Sequence, residues 1–131
     1  MVIDEQLLDG LTAQAKESAR LRMNLDLRNS AGDSSQRMLN AIEPGSVVPI
    51  HRHQKTSETM VVLRGSLVEE YYDDARNCVA KIELSAGGPA SALNIPAGQW
   101  HTLHAMESGT VILEMKDGAY EAIQPEDIMT I

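Results

Sequence analysis

Leu7, Leu8, Leu11 and Ala15 recur at three- and four-residue intervals, the spacing that gathers apolar groups on one face of an α-helix. Asp4 stands where its side chain can accept from the first free backbone N–H groups, so the helix is expected to open there. Lys16, Arg20 and Arg22 fall toward its expected C-terminal end, where the macrodipole favours cations. Gly10 weakens the early turns by about 1 kcal/mol relative to alanine.

Beyond the helix the period drops to two. Met23, Leu25 and Leu27 alternate with Asn24 and Asp26, and the polar stretch from Asn29 to Ser35 reads as a turn or loop. Further short strands are expected over 36–43, 46–51, 58–64, 66–72, 79–84, 91–95, 100–106 and 110–116. Between them lie turn residues: Pro44 and Gly45, Asp73 to Asn77, Gly87 to Pro89, Pro96 to Gly98, Glu107 to Gly109, and Asp117 with Gly118. Many short strands separated by turns predict a mainly β sandwich or barrel behind one N-terminal helix. Gln124 to Asp127 reads as a turn before a last apolar stub. The run Met60 to Leu63 is apolar on both faces; if Met60 and Val62 point inward, Val61 and Leu63 need cover from the helix or from a second subunit.

With 131 residues the chain is expected to form one domain over 1–131, a helix and arm over 1–22 followed by a β-barrel over 23–131. The single cysteine, Cys78, excludes an intrachain disulfide and is expected in a hairpin turn as a passive thiol. A net charge of −8 without any Lys/Arg cluster speaks against nucleic acid as a partner. No apolar run long enough to span a bilayer occurs, and Met1 to Glu5 carry two acids and no positive leader, so a cytoplasmic protein without a membrane partner is expected. Aromatic residues make up 3% of the chain and phenylalanine is absent, so Leu, Ile, Val and the methionines must fill the core.

The histidines carry the chemistry. His51 and His53 lie two apart, so on an extended strand their imidazoles share a face. Glu58 returns five residues later from a short turn, and His101 follows Pro96, Ala97, Gly98, Gln99 and Trp100. Gly45 and Gly65 frame the first group at turns. Nitrogen and oxygen donors brought together by a β structure suit one divalent ion, and the set does not choose among Fe, Mn, Ni, Co and Zn. Four protein donors leave open positions, where an ion can polarise a substrate oxygen or activate water.

Gly45, His51, His53, Glu58 and Gly65 resemble the first cupin motif, and Ile95 to His101 resembles the core of the second. It departs from that pattern where Gly88 lies two residues too far upstream and Ala105 replaces the usual asparagine. The resemblance implies a cupin double-stranded β-helix (jelly-roll barrel), with one metal on His51, His53, Glu58 and His101. A wider similarity runs through Arg20 to Asn24, Gln36 to Ala41, Trp100 to Thr102 and Glu107 to Gly109. These segments are similar to small cupin-fold metalloproteins of the WbuC type, whose genes accompany those of bacterial O-antigen and other surface polysaccharides. That similarity implies a fold, a metal and a pathway neighbourhood and leaves the chemistry open. Taken with the open coordination positions, it makes a metal-dependent isomerase, epimerase, lyase or oxygenase acting on a sugar or sugar-derived metabolite the expected function; a non-catalytic sugar- or metal-binding module is the alternative. A small-molecule ligand such as a sugar or nucleotide sugar is expected, and the cupin resemblance, with the two-sided strand, implies a homodimer.

Candidate groups for proton transfer are His104, Glu114, Tyr71 and Tyr72. His104, three positions from His101, is expected on the opposite face unless a bulge rotates it, and one of the adjacent tyrosines must face inward. Arg22 and Arg37 are candidates for binding substrate through their planar guanidinium groups.

Overall fold

The computed structural model describes all residues from Met1 to Ile131. Helix α1 spans Glu5–Glu17; Asp4 caps it, its side chain accepting from Leu7 N at 3.0 Å. The helix stops earlier than the charge pattern implied. Ser18 turns extended, Leu21 takes a left-handed φ of +57°, and Arg20 and Arg22 therefore lie beyond the helix, leaving Lys16 alone in its last turn.

Ten strands follow: β1 (Arg22–Asp26), β2 (Ser35–Ile42), β3 (Ile50–His51), β4 (Glu58–Arg64), β5 (Ser66–Tyr72), β6 (Cys78–Ser85), β7 (Ala92–Ile95), β8 (Trp100–Ala105), β9 (Thr110–Asp117) and β10 (Ile128–Met129). They form two antiparallel five-stranded sheets, in the orders β1-β2-β9-β4-β7 and β10-β3-β8-β5-β6. Strand pairing does not pass from one sheet to the other, so the expected barrel is not closed by hydrogen bonds. The expected strand over 46–51 shrinks to β3, because Pro49 has no N–H to give to a ladder. The expected terminal stub is β10, which pairs Ile128 with His51 and Met129 with Ile50.

Alternation along the strands builds two apolar layers. Ile42, Met60, Val62 and Ile112 from the first sheet meet Leu67, Leu84, Leu103 and Ala105 from the second. On the outer face of the first sheet, Leu39, Ala41 and Val111 receive Leu8, Leu11 and Ala15 of α1. Leu63 packs into this second layer, so the helix supplies the cover expected for Leu63, whereas Val61 is not part of that layer. Arg64 fastens the helix to the sheet, its guanidinium donating to Gly109 O at 2.8 Å, Thr12 Oγ1 at 3.0 Å and the carboxylates of Glu5 and Asp9.

Turns hold the ends. Glu43, in the turn before Pro44, is buried because its carboxylate accepts from Ser108 Oγ at 2.6 Å and Gly109 N at 2.7 Å. Cys78 opens β6 rather than sitting in the hairpin turn, and it is exposed. No helix is long and apolar enough to cross a membrane.

Candidate metal centre

His51 and His101 are partners in the ladder that joins β3 to β8. Their ring centroids lie 4.3 Å apart, and those of His51 and His53 lie 5.2 Å apart. Ligand atoms of His51, His53 and His101 all fall within 4.8 Å of one another. Two local contacts hold the donors in place. The turn before β8 comes back to the first group through Gly98 N, which donates to His53 O at 2.8 Å, with Gly98 at a left-handed φ of +82° that a glycine adopts freely. The C-terminal segment grips the intervening residue: Arg52 donates from N to Asp127 O and from Nε to Asp127 Oδ1, and its guanidinium lies 4.4 Å over the Trp100 ring.

The tautomers suit a metal. His51 Nδ1 meets Pro49 O at 2.8 Å and His101 Nδ1 meets Gln99 O at 2.9 Å. A carbonyl only accepts, so each Nδ1 carries the proton, and Nε2 is the atom that offers a lone pair to an ion when the ring is neutral. His53 differs, its Nδ1 lying 3.2 Å from Lys116 Nζ. Burial, followed by the neighbouring His101, lowers the pKa of His51 to about 4. Burial and Lys116 also lower that of His53, so both rings are neutral donors near pH 7. Glu58, at the start of β4, stands beside the imidazole set, with Oε2 3.4 Å from His101 Nε2 and 4.0 Å from His53 Nε2. Burial acts to raise its pKa, but the hydrogen bond and charge of His101, with His53 and His51, outweigh this and hold it below the ordinary value. Imidazoles whose Nε2 atoms on His51 and His101 face inward, with the His53 ring and an ionised carboxylate beside them, fit a divalent cation.

The cluster opens into a cavity of about 300 Å³ bounded by β1, β2, β9 and the C-terminal segment. Below it a smaller space of about 50 Å³ reaches inward past His51, Glu58 and His101 to Glu69, Glu114 and Asn40. Glu114 lines both spaces, and burial, aided by the charge of Glu58, raises its pKa to about 8. Glu69 is fully buried with neither carboxylate oxygen hydrogen-bonded, and burial, followed by Glu58 and Glu114, pushes it up to about 9. Asn40 Oδ1 is likewise buried without a partner.

Other candidates separate by face. His104 is exposed and bonds to Glu70 Oε1 at 2.8 Å on the outer side of β8, and Tyr72 also points out, donating to Glu70 Oε1 at 3.4 Å. Tyr71 shares the inward parity of Leu67 and Glu69 and pairs across the ladder with His101, but it does not line the main cavity. The structure thus removes His104, Tyr71 and Tyr72 from the cavity wall and keeps Glu114. Arg22 and Arg37 both line it; Arg22 donates to Val47 O at 2.7 Å, and Arg37 to Ser35 O at 2.7 Å and Asp33 Oδ2 at 3.2 Å. Sequence reasoning missed Glu69, Asn40, Arg20 and Lys116. For Glu69 the signal existed, since of the adjacent Glu69 and Glu70 one had to face the interior.

Residues 3–84 match the family described as a domain of unknown function, DUF6016. The chain belongs to the DUF6016 family. The matched region carries His51, His53 and Glu58 but ends before His101. Among curated proteins nothing matches. Among solved structures, the DUF6016 chain is similar to KdgF from Halomonas sp., with TM-score 0.62 and 15% identity over 76% of this chain and 81% of that one. It is similar to oxalate oxidase in complex with the substrate analogue glycolate, with TM-score 0.67 and 14% identity over 83% of this chain and 57% of the other. A third likeness is to CapF with the inhibitor 3-isopropenyl-tropolone, with TM-score 0.63 and 18% identity over 82% of this chain. The DUF6016 chain spans 57% of the oxalate oxidase and 31% of CapF. These likenesses show a cupin fold.

Proposed function

We propose that this DUF6016 protein is a metal-dependent enzyme that acts on a sugar or sugar-derived metabolite. The observation that carries the reading is the set of converging imidazoles, proton-fixed at Nδ1 on two members, at the floor of an open cavity whose wall holds Glu114. Structural neighbours that are enzymes by name, oxalate oxidase and oxalate decarboxylase, support catalysis in general without supplying the substrate. The similarity to WbuC-type proteins supports surface-polysaccharide synthesis as the setting, and the resemblance to cupins supports a homodimer as the assembly.

His51, His53 and His101, with Glu58 alongside, would hold the ion. Bound there, it would act as a Lewis acid on a substrate oxygen or lower the pKa of water. Glu114 supplies the proton chemistry. It lines the cavity and burial raises its pKa, so it can give a proton to a substrate there and take one back. The isomerase, epimerase and lyase classes all need such a group.

Screening nucleotide sugars and simpler sugars by thermal shift, then by product analysis, tests the reading. Turnover should fall about 10²-fold or more in Glu114→Gln while metal content stays at the wild-type level. Ligand binding with no turnover, unaffected by Glu114→Gln, would instead make the protein a non-catalytic binding module.

A further inference from the structure

Arg20 and Arg22 flank the left-handed Leu21 at the entry to β1, and both line the cavity that opens onto the imidazoles. Their charges are uncompensated. In a chain of net charge −8, Arg28, Arg37, Arg52, Arg64 and Lys81 each have a carboxylate within 4.0 Å, whereas the cavity's Arg20, Arg22 and Lys116 have none, as do Lys16, Lys55 and Arg76 outside it. Arg22 is fixed by neutral acceptors, Val47 O and Ser46 Oγ, and that same hydroxyl donates to Arg20 O at 2.7 Å. Burial and the charge of Arg20 both press against ionisation of Arg22, so a counter-anion between the two relieves each.

The cavity's carboxylates do not supply that anion. Glu58 is engaged by His101 and His53, and neither it nor Glu114 has an oxygen within 4.0 Å of either guanidinium. Glu121, on the C-terminal segment, is exposed to solvent. A pair of like-charged guanidinium groups beside a cavity in an acidic protein, Arg22 anchored by neutral acceptors and Arg20 exposed with its guanidinium free, can bind an anion through charge-assisted hydrogen bonds. A volume of about 300 Å³ is at the low end for small-molecule sites, which limits the ligand to about the size of a monosaccharide.

We propose that the cavity binds an anionic small molecule bearing a carboxylate or phosphate, its charged group held by Arg20 and Arg22 and its other end directed at the histidine cluster. The placement of the reacting end rests on the metal-dependent reading; the anion site rests on the arginines. Neither Arg20 nor Lys116 stood out in the sequence, because the helix was expected to carry Arg20 and a strand lysine has no distinguishing neighbours.

The test is calorimetric titration of the full chain as isolated with glucuronate, glucose 6-phosphate and glucose, which separates carboxylate, phosphate and neutral forms of one ring size. At least one anion should bind, about tenfold or more tighter than glucose, with affinity falling as salt rises. Arg22→Gln and Arg20→Gln should each weaken that anion about tenfold and leave metal content unchanged. Arg20→Gln is the decisive variant because the Arg20 side chain holds no other group, and Arg76→Gln, in the β5–β6 turn, should change nothing. Glucose binding as tightly as both anions, wild-type affinity in both arginine variants, or no binding of any of the three overturns the proposal. A metal-free protein that still binds an anion through these arginines would sustain the proposal and refute the metal reading instead.

Discussion

Glu69 stands directly across the β5–β8 ladder from Leu103, a carboxyl group set into the same interior face as Leu67 and adjoining the apolar layer of Met60, Val62 and Ile112. An unpaired buried carboxylate is costly when ionised, which is why its pKa rises to about 9. The folded protein keeps this proton until about pH 9, whereas an unfolded glutamate releases it near the ordinary value of 4.5. Between those limits the folded state binds more protons, so stability contributed by the neutral form is complete below about 4.5 and is lost as pH rises.

Glu69→Gln should therefore gain on the wild type as pH is raised from 5 to 8, by on the order of 1 kcal/mol per pH unit, in denaturant unfolding of metal-free protein. Parallel stability profiles for the two proteins would show that Glu69 ionises normally in the fold.

Two glycines should respond with opposite signs. Gly65 has φ +85°, and a Cβ there would meet the Thr110 backbone at 2.8 Å, so Gly65→Ala should cost at least about 1–3 kcal/mol of unfolding free energy. Gly10 lies within α1 with open space around it, and Gly10→Ala should stabilise by about 0.5–1 kcal/mol. Chemical denaturation of both variants measures each effect; destabilisation by Gly10→Ala would mean that the helix is not held as described.

His104 lies outside the cavity, in contact with Glu70. His104→Ala should keep wild-type metal content and lose only the outer-face contact, a small change for a partly exposed pair. Elemental analysis decides, and metal loss matching that of His51→Ala would contradict the assigned facing of β8.

Much of this was legible because it depends on short-range periodicity. The cap at Asp4, the two-residue spacing of His51 and His53, and the opposite facing of His101 and His104 each follow from helix or strand geometry alone. What could not be read depends on distant partners. Arg20 suits a helix C-terminus by charge, yet Ser18 and Leu21 turn the chain so that it joins Arg22 in the cavity wall instead. β10 is two residues long and exists through its pairing with β3, which no local pattern announces. The pairing of strands into two separate sheets likewise depends on contacts far apart in sequence. Glu114 was a candidate from its place on a strand, but the burial of Glu69 and Glu114 became apparent only when their surroundings were known, because an alternating strand pattern records facing but not what lies opposite.

The central claim is that imidazoles from β3, the segment after it and β8 close around one divalent ion. Elemental analysis of untagged wild-type and His101→Ala protein, each checked for folding by circular dichroism, tests it most directly. Wild type should hold about one divalent ion per chain, and folded His101→Ala should hold far less. A folded His101→Ala protein with wild-type metal content, or a wild type that takes up no stoichiometric ion when supplied with Mn, Fe, Co, Ni or Zn, would contradict the account.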